Sequence, residues 1–317
     1  MKSKKYPVFE NEESLVVCDS SWGGRWTEDK LETFEKYVEA YLLILNKYRD
    51  LYNWKLIYLD GFAGSGSREE AKDGYESELL MDLFNESLLQ REELNLYKGA
   101  AERVLNISQR GFDYYYFVEK SKESCQKLEA HLAPYSKKRN LVFRNSDANE
   151  EIQNLAEALK NKEQKYAALV LLDPFGMQVN WSSIELLKGT RTDLWILIPT
   201  GVIVNRLLDR KGKLVHIEKL VSFFGKEEVF LRDFFYTQKR ETTLFGEIEI
   251  MEKVHTPIKR IAELYIQQLQ GIFKYVTQQP LVLYNTRHTP IFHFACASNN
   301  EAAIRIANSI IGKKQKL

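Results

Sequence analysis

Five apolar runs of strand length recur along the chain with helical patterns between them, and this alternation restricts the fold more than any other feature. The runs are "KLIYLD" (55–60), "DYYYFVE" (113–119), "NLVFRN" (140–145), "AALVLLD" (167–173) and "DLWILIP" (193–199). Between them, "SKESCQKLEAHLAPY" and "NEEIQNLAEALKNK" carry apolar residues at helical spacing. Strand, helix and strand in succession imply parallel pairing with helices on both faces. The expectation is an α/β fold: a doubly wound, mostly parallel, Rossmann-like sheet of seven strands in a single domain over 1–317. A helix over 27–50 precedes it, with Leu31, Phe34, Val38, Tyr41 and Leu45 on one stripe and Thr27 placed to cap. Two insertions interrupt the alternation, one at 67–112 and a helical, aromatic-rich one at 200–256, where no strand is legible. "YVTQQPLVLYN" and "PIFHFACAS", joined by "TRHT", close the sheet as an antiparallel hairpin.

In open sheets of this kind ligands bind outside the carboxyl ends of the strands, and here those ends are acidic. Asp60 ends the first run, Glu119 the second and Asp173 the fourth, while Asp147 follows the third. Beyond Asp60 the chain reads Gly61, Phe62, Ala63, Gly64, Ser65, Gly66. That loop is not G-x-G-x-x-G and lacks the Lys-Ser/Thr of a phosphate loop, which disfavours NAD and ATP. Glu119 also lies much farther from Asp60 than the roughly 20 residues of a dinucleotide unit. A nucleoside with ribose hydroxyls and a cationic end suits the acids better. Glu119 can accept from both hydroxyls and Asp60 can face an ammonium. S-adenosyl-L-methionine has those parts, and its sulfonium tolerates acids that would repel a pyrophosphate.

Asp60, Phe62, Gly64 and Gly66 also match the Asp-x-Phe-x-Gly-x-Gly motif of methyltransferases that modify exocyclic amino groups. With "VEK" (118–120), "SDA" (146–148), "LLDPFG" (171–176), "WTEDKL" (26–31), "KGAAERVLN" (98–106) and "YNTRHTPIFHFACAS", the chain resembles the three-Cys-motif partner family. The resemblance implies a class I methyltransferase-like fold, S-adenosylmethionine as cofactor, and a three-Cys-motif, metal-cluster-type protein encoded nearby as partner. Amino-group enzymes of the Asp/Asn-Pro-Pro-aromatic type use the acid and the first proline carbonyl to hold the target amine, and the aromatic stacks on a flipped base. Asp173 and Pro174 keep both acceptors, whereas Phe175 replaces the second proline and Gly176 stands where the ring belongs. Asp173, Pro174 and Phe175 are therefore the candidate catalytic segment. Asp60, Gly61, Phe62, Gly64, Gly66, Glu119 and Asp147 are the candidate cofactor residues. The expected activity is methyl transfer to an amino group of nucleic acid, with a non-catalytic cofactor-binding subunit as the alternative.

Competing structural readings stand beside these. Glu119 is also placed to meet the dipole of the following helix, and Asp147 to cap one. Trp26 and Lys30 read as a core anchor and a solvated face, and Pro199, Thr200 and Gly201 as pocket rim or simple chain reversal. His288 and His293 lack a second ligand at metal spacing. Cys18, Cys125 and Cys296 show no CxxC pair and read as reduced. The 45 basic and 44 acidic residues nearly balance, so any nucleic-acid contact must come from a local patch such as 136–140, 209–213 or 313–316. No apolar run approaches the roughly 20 residues of a membrane span. The opening "MKSKKYPVFENEES" lacks a signal-peptide core, so the expected location is cytoplasmic.

Overall fold

The computed structural model describes residues 25–65 and 98–315, apart from Lys162, Gln164, Lys211, Leu244, Phe245 and Thr286. Chain order is α1 (Arg25–Tyr52), β1 (Lys55–Asp60), α2 (Lys98–Asn106), β2 (Tyr114–Val118), α3 (Lys122–Leu132), β3 (Leu141–Arg144), α4 (Ala148–Lys160), β4 (Tyr166–Leu172), α5 (Trp181–Glu185) and β5 (Thr192–Ile198). There follow α6 (Asn205–Leu207), α7 (Ile217–Phe224), α8 (Glu228–Phe235), β6 (Tyr236–Thr243), β7 (Gly246–Lys253), α9 (Pro257–Ile272), β8 (Tyr275–Val276), β9 (Leu281–Tyr284), β10 (Pro290–Ser298) and α10 (Glu301–Lys314).

The sheet runs β3-β2-β1-β4-β5-β10-β8, and β1 to β5 pair in parallel. Their order, 3-2-1-4-5, is that of a doubly wound fold, with the direction of winding reversing between β1 and β4. β10 enters antiparallel beside β5. Among the described residues the main sheet has eight strands rather than the seven expected, because β9 pairs with β10 in addition to the main path. β1 and β4 are buried along nearly their whole length, as strands covered on both faces must be. Phe34 of α1 packs its ring against Tyr58, Trp195 and Phe294, which seats the first helix on β1, β5 and β10.

Two further expectations are revised. Thr27 does not cap α1, because the helix begins at Arg25 and Thr27 lies inside its first turn. The stretch 200–256, expected to be helical, also contains an antiparallel hairpin of β6 and β7. Its strands are rich in charge, and ion pairs join them at Lys239–Glu252 (3.3 Å) and Arg240–Glu249 (3.5 Å), so no apolar run announces them. The insertion at 67–112 lies largely outside the described residues, which resume at α2. No helix among the described residues is long and apolar enough to cross a membrane. Cys125 and Cys296 are free and buried; Cys18 lies outside the described residues.

Candidate functional site

The acids at the strand ends are brought together because β2, β1 and β4 are neighbours. Asp60 is in register with Phe117 of β2 and Leu171 of β4, so Glu119 and Asp173 stand two residues beyond it on either side. The loop after Asp60 straddles this gap. The Gly61 N–H donates to the Leu171 carbonyl and the Ala63 N–H to the Val118 carbonyl, each at 2.9 Å. A Cβ on Gly61 would lie 2.7 Å from Leu172 Cδ2, closer than packed atoms come, so any larger residue here would have to displace the Leu172 side chain from its place in β4. Gly64 has φ +64°, the left-handed region that other residues enter at a cost. That turn directs the Gly64 N–H to the Glu119 carboxylate, which also accepts from the backbone of Ser121, at 2.8 Å, and of Lys120. Gly66 lies outside the described residues.

Electrostatics differ among the four acids. Asp60 is 1% exposed; it accepts from the Phe62 N–H at 3.2 Å and the Tyr58 hydroxyl at 3.4 Å. Burial pushes its pKa up to about 7; the Phe62 N–H opposes the shift and the charge of Asp173 reinforces it. Burial likewise raises Glu119, against the pull of its three N–H donors. Asp147 caps α4, accepting from the Asn149 N–H at 2.9 Å. Burial would raise it, but the Asn149 donors and Lys120, whose Nζ lies 3.2 Å away, together hold it below the usual carboxylate range. The cap reading of Asp147 is thus realised.

Asp173 is held differently. Lys30 Nζ donates to its Oδ2 at 2.6 Å, with the two side chains only 5% and 4% exposed. The same ammonium sits 5.5 Å from the centre of the Trp26 ring, and Trp26 stacks on Phe292 at 5.5 Å. Lys30 is therefore not on a solvated face: the first turns of α1 lie over the carboxyl rim. Pro174 is buried and Phe175 half-buried, and the Phe175 N–H donates to Gln178 Oε1 at 2.9 Å. Asn149 ties this loop to the start of α4, donating to the Gln178 carbonyl and accepting from the Asn180 N–H, both at 2.9 Å.

Farther along the rim, Thr200 is buried and its hydroxyl pairs with His293 Nδ1 at 2.8 Å, so the turn after Pro199 is fastened to β10. Burial lowers the His293 pKa to about 4, which leaves a neutral imidazole. No group of three metal-ligating side chains occurs among the described residues. A cleft of 760 Å³ lies at the opposite end of the sheet, lined by Trp54, Arg191, Asp193 and Asn299 among others, away from the acids.

Asn149 and Gln178 escaped the sequence reading, and Lys30 was read there as a solvated face. Lys30 is 143 positions from its partner and carries no local signal. Asn149, two residues after a predicted cap, was the more detectable.

No protein-family model matches the sequence, and no curated protein matches it. Among solved structures, the chain is similar to Trm1 from Pyrococcus horikoshii in complex with S-adenosyl-L-methionine, at 11% identity and TM-score 0.34, covering 91% of this chain and 72% of that one. It is also similar to a conserved hypothetical protein from Streptococcus pyogenes (13% identity, TM-score 0.28, 65% and 94% covered) and to yhhF from Escherichia coli (15%, 0.24, 66% and 83%). Likenesses this distant carry no weight in the reading of the site, which rests on its own geometry.

Proposed function

We propose that the protein is an S-adenosylmethionine-dependent methyltransferase whose acceptor is an amino group of nucleic acid. The observation that carries this reading is the glycine loop pinned between β2 and β4, with Asp60 and Asp173 buried and Glu119 half-buried at the neighbouring strand ends. Such a cradle fits the ligand. Gly61 seats the loop against β4, bare main chain at Gly64 allows close approach, and no lysine of a phosphate loop follows. Acids are placed to meet hydroxyl donors and a cation.

When bound, S-adenosylmethionine supplies an electrophilic methyl group on a positively charged sulfur. Glu119 accepts from the ribose hydroxyls, and Asp60 faces the ammonium with Phe62 shaping its loop. Asp147 borders the adenine end. Asp173 and the Pro174 carbonyl orient the acceptor amine, with Phe175 beside them. Catalysis by these residues is chiefly a matter of holding nucleophile and methyl in line and excluding water.

A second reading is a non-catalytic cofactor-binding subunit that works with a three-Cys-motif, metal-cluster-type partner. It is favoured by the Lys30 ammonium on Asp173 and by Gly176 where an aromatic would stack. Calorimetric titration with S-adenosylmethionine tests the cofactor, and Glu119→Ala should weaken binding at least tenfold, about 1.4 kcal/mol. Incubation with methyl-labelled donor and bulk RNA or DNA tests the activity. Label transfer that disappears in Asp173→Ala supports the enzyme, and donor binding without transfer supports the subunit.

A further inference from the structure

We propose that the cleft at the amino end of the sheet is a second ligand site that takes a nucleotide unit. Arg191, Lys188 and Lys274 hold its phosphate, and the exposed tyrosines at the mouth carry its base. The site lies away from the acids of the carboxyl rim, and the inference stands independently of the methyl-donor reading.

Charge sets this edge apart. In a parallel sheet the residues that open the strands share one edge, as those that close them share the other. β1 opens at Lys55, β4 follows Lys165 and β5 follows Arg191. Backbone bonds hold these openings side by side: the Lys55 N–H donates to the Lys165 carbonyl at 3.0 Å and the Ala168 N–H to the Arg191 carbonyl at 2.9 Å. The sheet thus begins in cations where it ends in acids. Lys188, Arg191 and Lys274 are exposed in the lining of the cleft, and none of them forms an ion pair with a described residue. The acid among the lining residues, Asp193, is already engaged. One of its oxygens accepts from the Tyr37 hydroxyl at 2.7 Å and the other from the Ser298 hydroxyl, and burial raises its pKa, which lessens its repulsion of an anion. The volume, 760 Å³, falls within the range of about 300–1,000 Å³ typical of ligand pockets.

The cations stand beside a row of rings. The Arg191 guanidinium lies 4.7 Å from the centre of the Trp54 ring, and its Nη1 donates to the Tyr166 carbonyl at 3.3 Å. Fixed at two points, it has lost rotamer freedom before any ligand arrives, and its other N–H groups form a fork suited to phosphate oxygens. Trp54 stacks on Tyr52 at 5.0 Å, and Tyr52 lies against Tyr48 at 6.4 Å. At 3.6 residues per turn, Tyr48 and Tyr52 continue the stripe of α1 whose earlier members, Tyr41 and Leu45, line the cleft. They are 45% and 47% exposed. Aromatic faces left half in water beside a basic groove are the combination by which proteins hold the nucleotides of a single strand. None of the basic stretches singled out in the sequence, 136–140, 209–213 and 313–316, lines the cleft.

The test is fluorescence anisotropy with a short labelled oligouridine and calorimetry with uridine 5′-monophosphate, a base chosen to avoid an adenine site at the carboxyl rim. Tyr52→Ala should weaken oligouridine binding roughly tenfold, and Arg191→Glu at least as much, with a shallower dependence on salt. Binding of the oligouridine alone assigns the site to a single strand, and binding of both probes assigns it to the nucleotide unit from either source. The proposal is overturned if neither probe binds the wild type, if both variants stay within about twofold of it, or if inorganic phosphate competes as well as the monophosphate. Should Arg191→Glu fail to fold, the exposed pair Lys188→Glu/Lys274→Glu decides in its place. A protein that binds oligouridine through these residues but takes up no S-adenosylmethionine keeps this inference and loses the methyl-donor reading.

Discussion

The Lys30–Asp173 contact is the most consequential single interaction at the rim, and a double-mutant cycle measures it directly. Both side chains are nearly inaccessible, and the charged atoms are 2.6 Å apart. Removing Asp173 leaves the Lys30 ammonium, and removing Lys30 takes from Asp173 its 2.6 Å counter-charge, in a medium that solvates ions poorly, which typically costs about 3–5 kcal/mol. Removing both charges together leaves apolar packing around Trp26 and no stranded ion, so Lys30→Met/Asp173→Asn should cost much less than the sum of the single changes. The expected coupling is about 3 kcal/mol. For a domain of this size each kcal/mol corresponds to about 2–4 °C in Tm, so each single variant should melt roughly 6–20 °C below wild type, with the double variant well above either. Urea unfolding at constant pH, followed by circular dichroism, gives the four free energies. Single-variant losses below about 1 kcal/mol, the range of exposed pairs, would show the pair to be solvated. Simple additivity would refute the claim that the two charges stabilise one another.

Asp60 should destabilise the fold as it ionises. Its pKa is raised from 3.8 to about 7, so between those values the native state holds a proton that the unfolded state lacks. Stability therefore declines as pH rises through that window, by up to about 4 kcal/mol. Asp60→Asn should accordingly gain on wild type in melts at pH 8 and match it near pH 4; a pH-independent difference would contradict the assignment. The buried Thr27 hydroxyl has no hydrogen-bond partner among the described residues, so Thr27→Val should be neutral or stabilising by about 1 kcal/mol in the same unfolding assay, and a large loss would reveal a partner elsewhere in the chain. Asp147→Ala should cost about 1 kcal/mol for the lost cap, while Asp147→Ser should recover most of it. Recovery of stability without recovery of donor affinity in calorimetry would separate a ligand role from capping.

What could be read in the residues was whatever is local. Apolar runs of strand length, helices between them and acids at the run ends are all encoded within a few positions. A strand that ends in an acid carries that acid to the same edge of a parallel sheet as its neighbours do. For that reason Asp60, Glu119 and Asp173 could be assigned to one rim, and the glycines after Asp60 to a loop that needs main chain without side chains. The β6–β7 hairpin escaped because alternating charge on a small two-stranded sheet resembles a solvated helix face or loop as much as a strand.

The layered α/β architecture and the sign of the charges along its carboxyl edge are already written in the order of residues, since both follow from short-range periodicity and strand direction. How those charges are compensated is settled by the folded packing. Lys30 reaches Asp173 from a helix that packs across the sheet, Gly64 turns its N–H onto Glu119, and Asn149 joins the loops that follow β3 and β4. Contacts between distant positions are set by how helices lie on the sheet. That geometry depends on the packing of the whole core, and no spacing of residues along the chain records it.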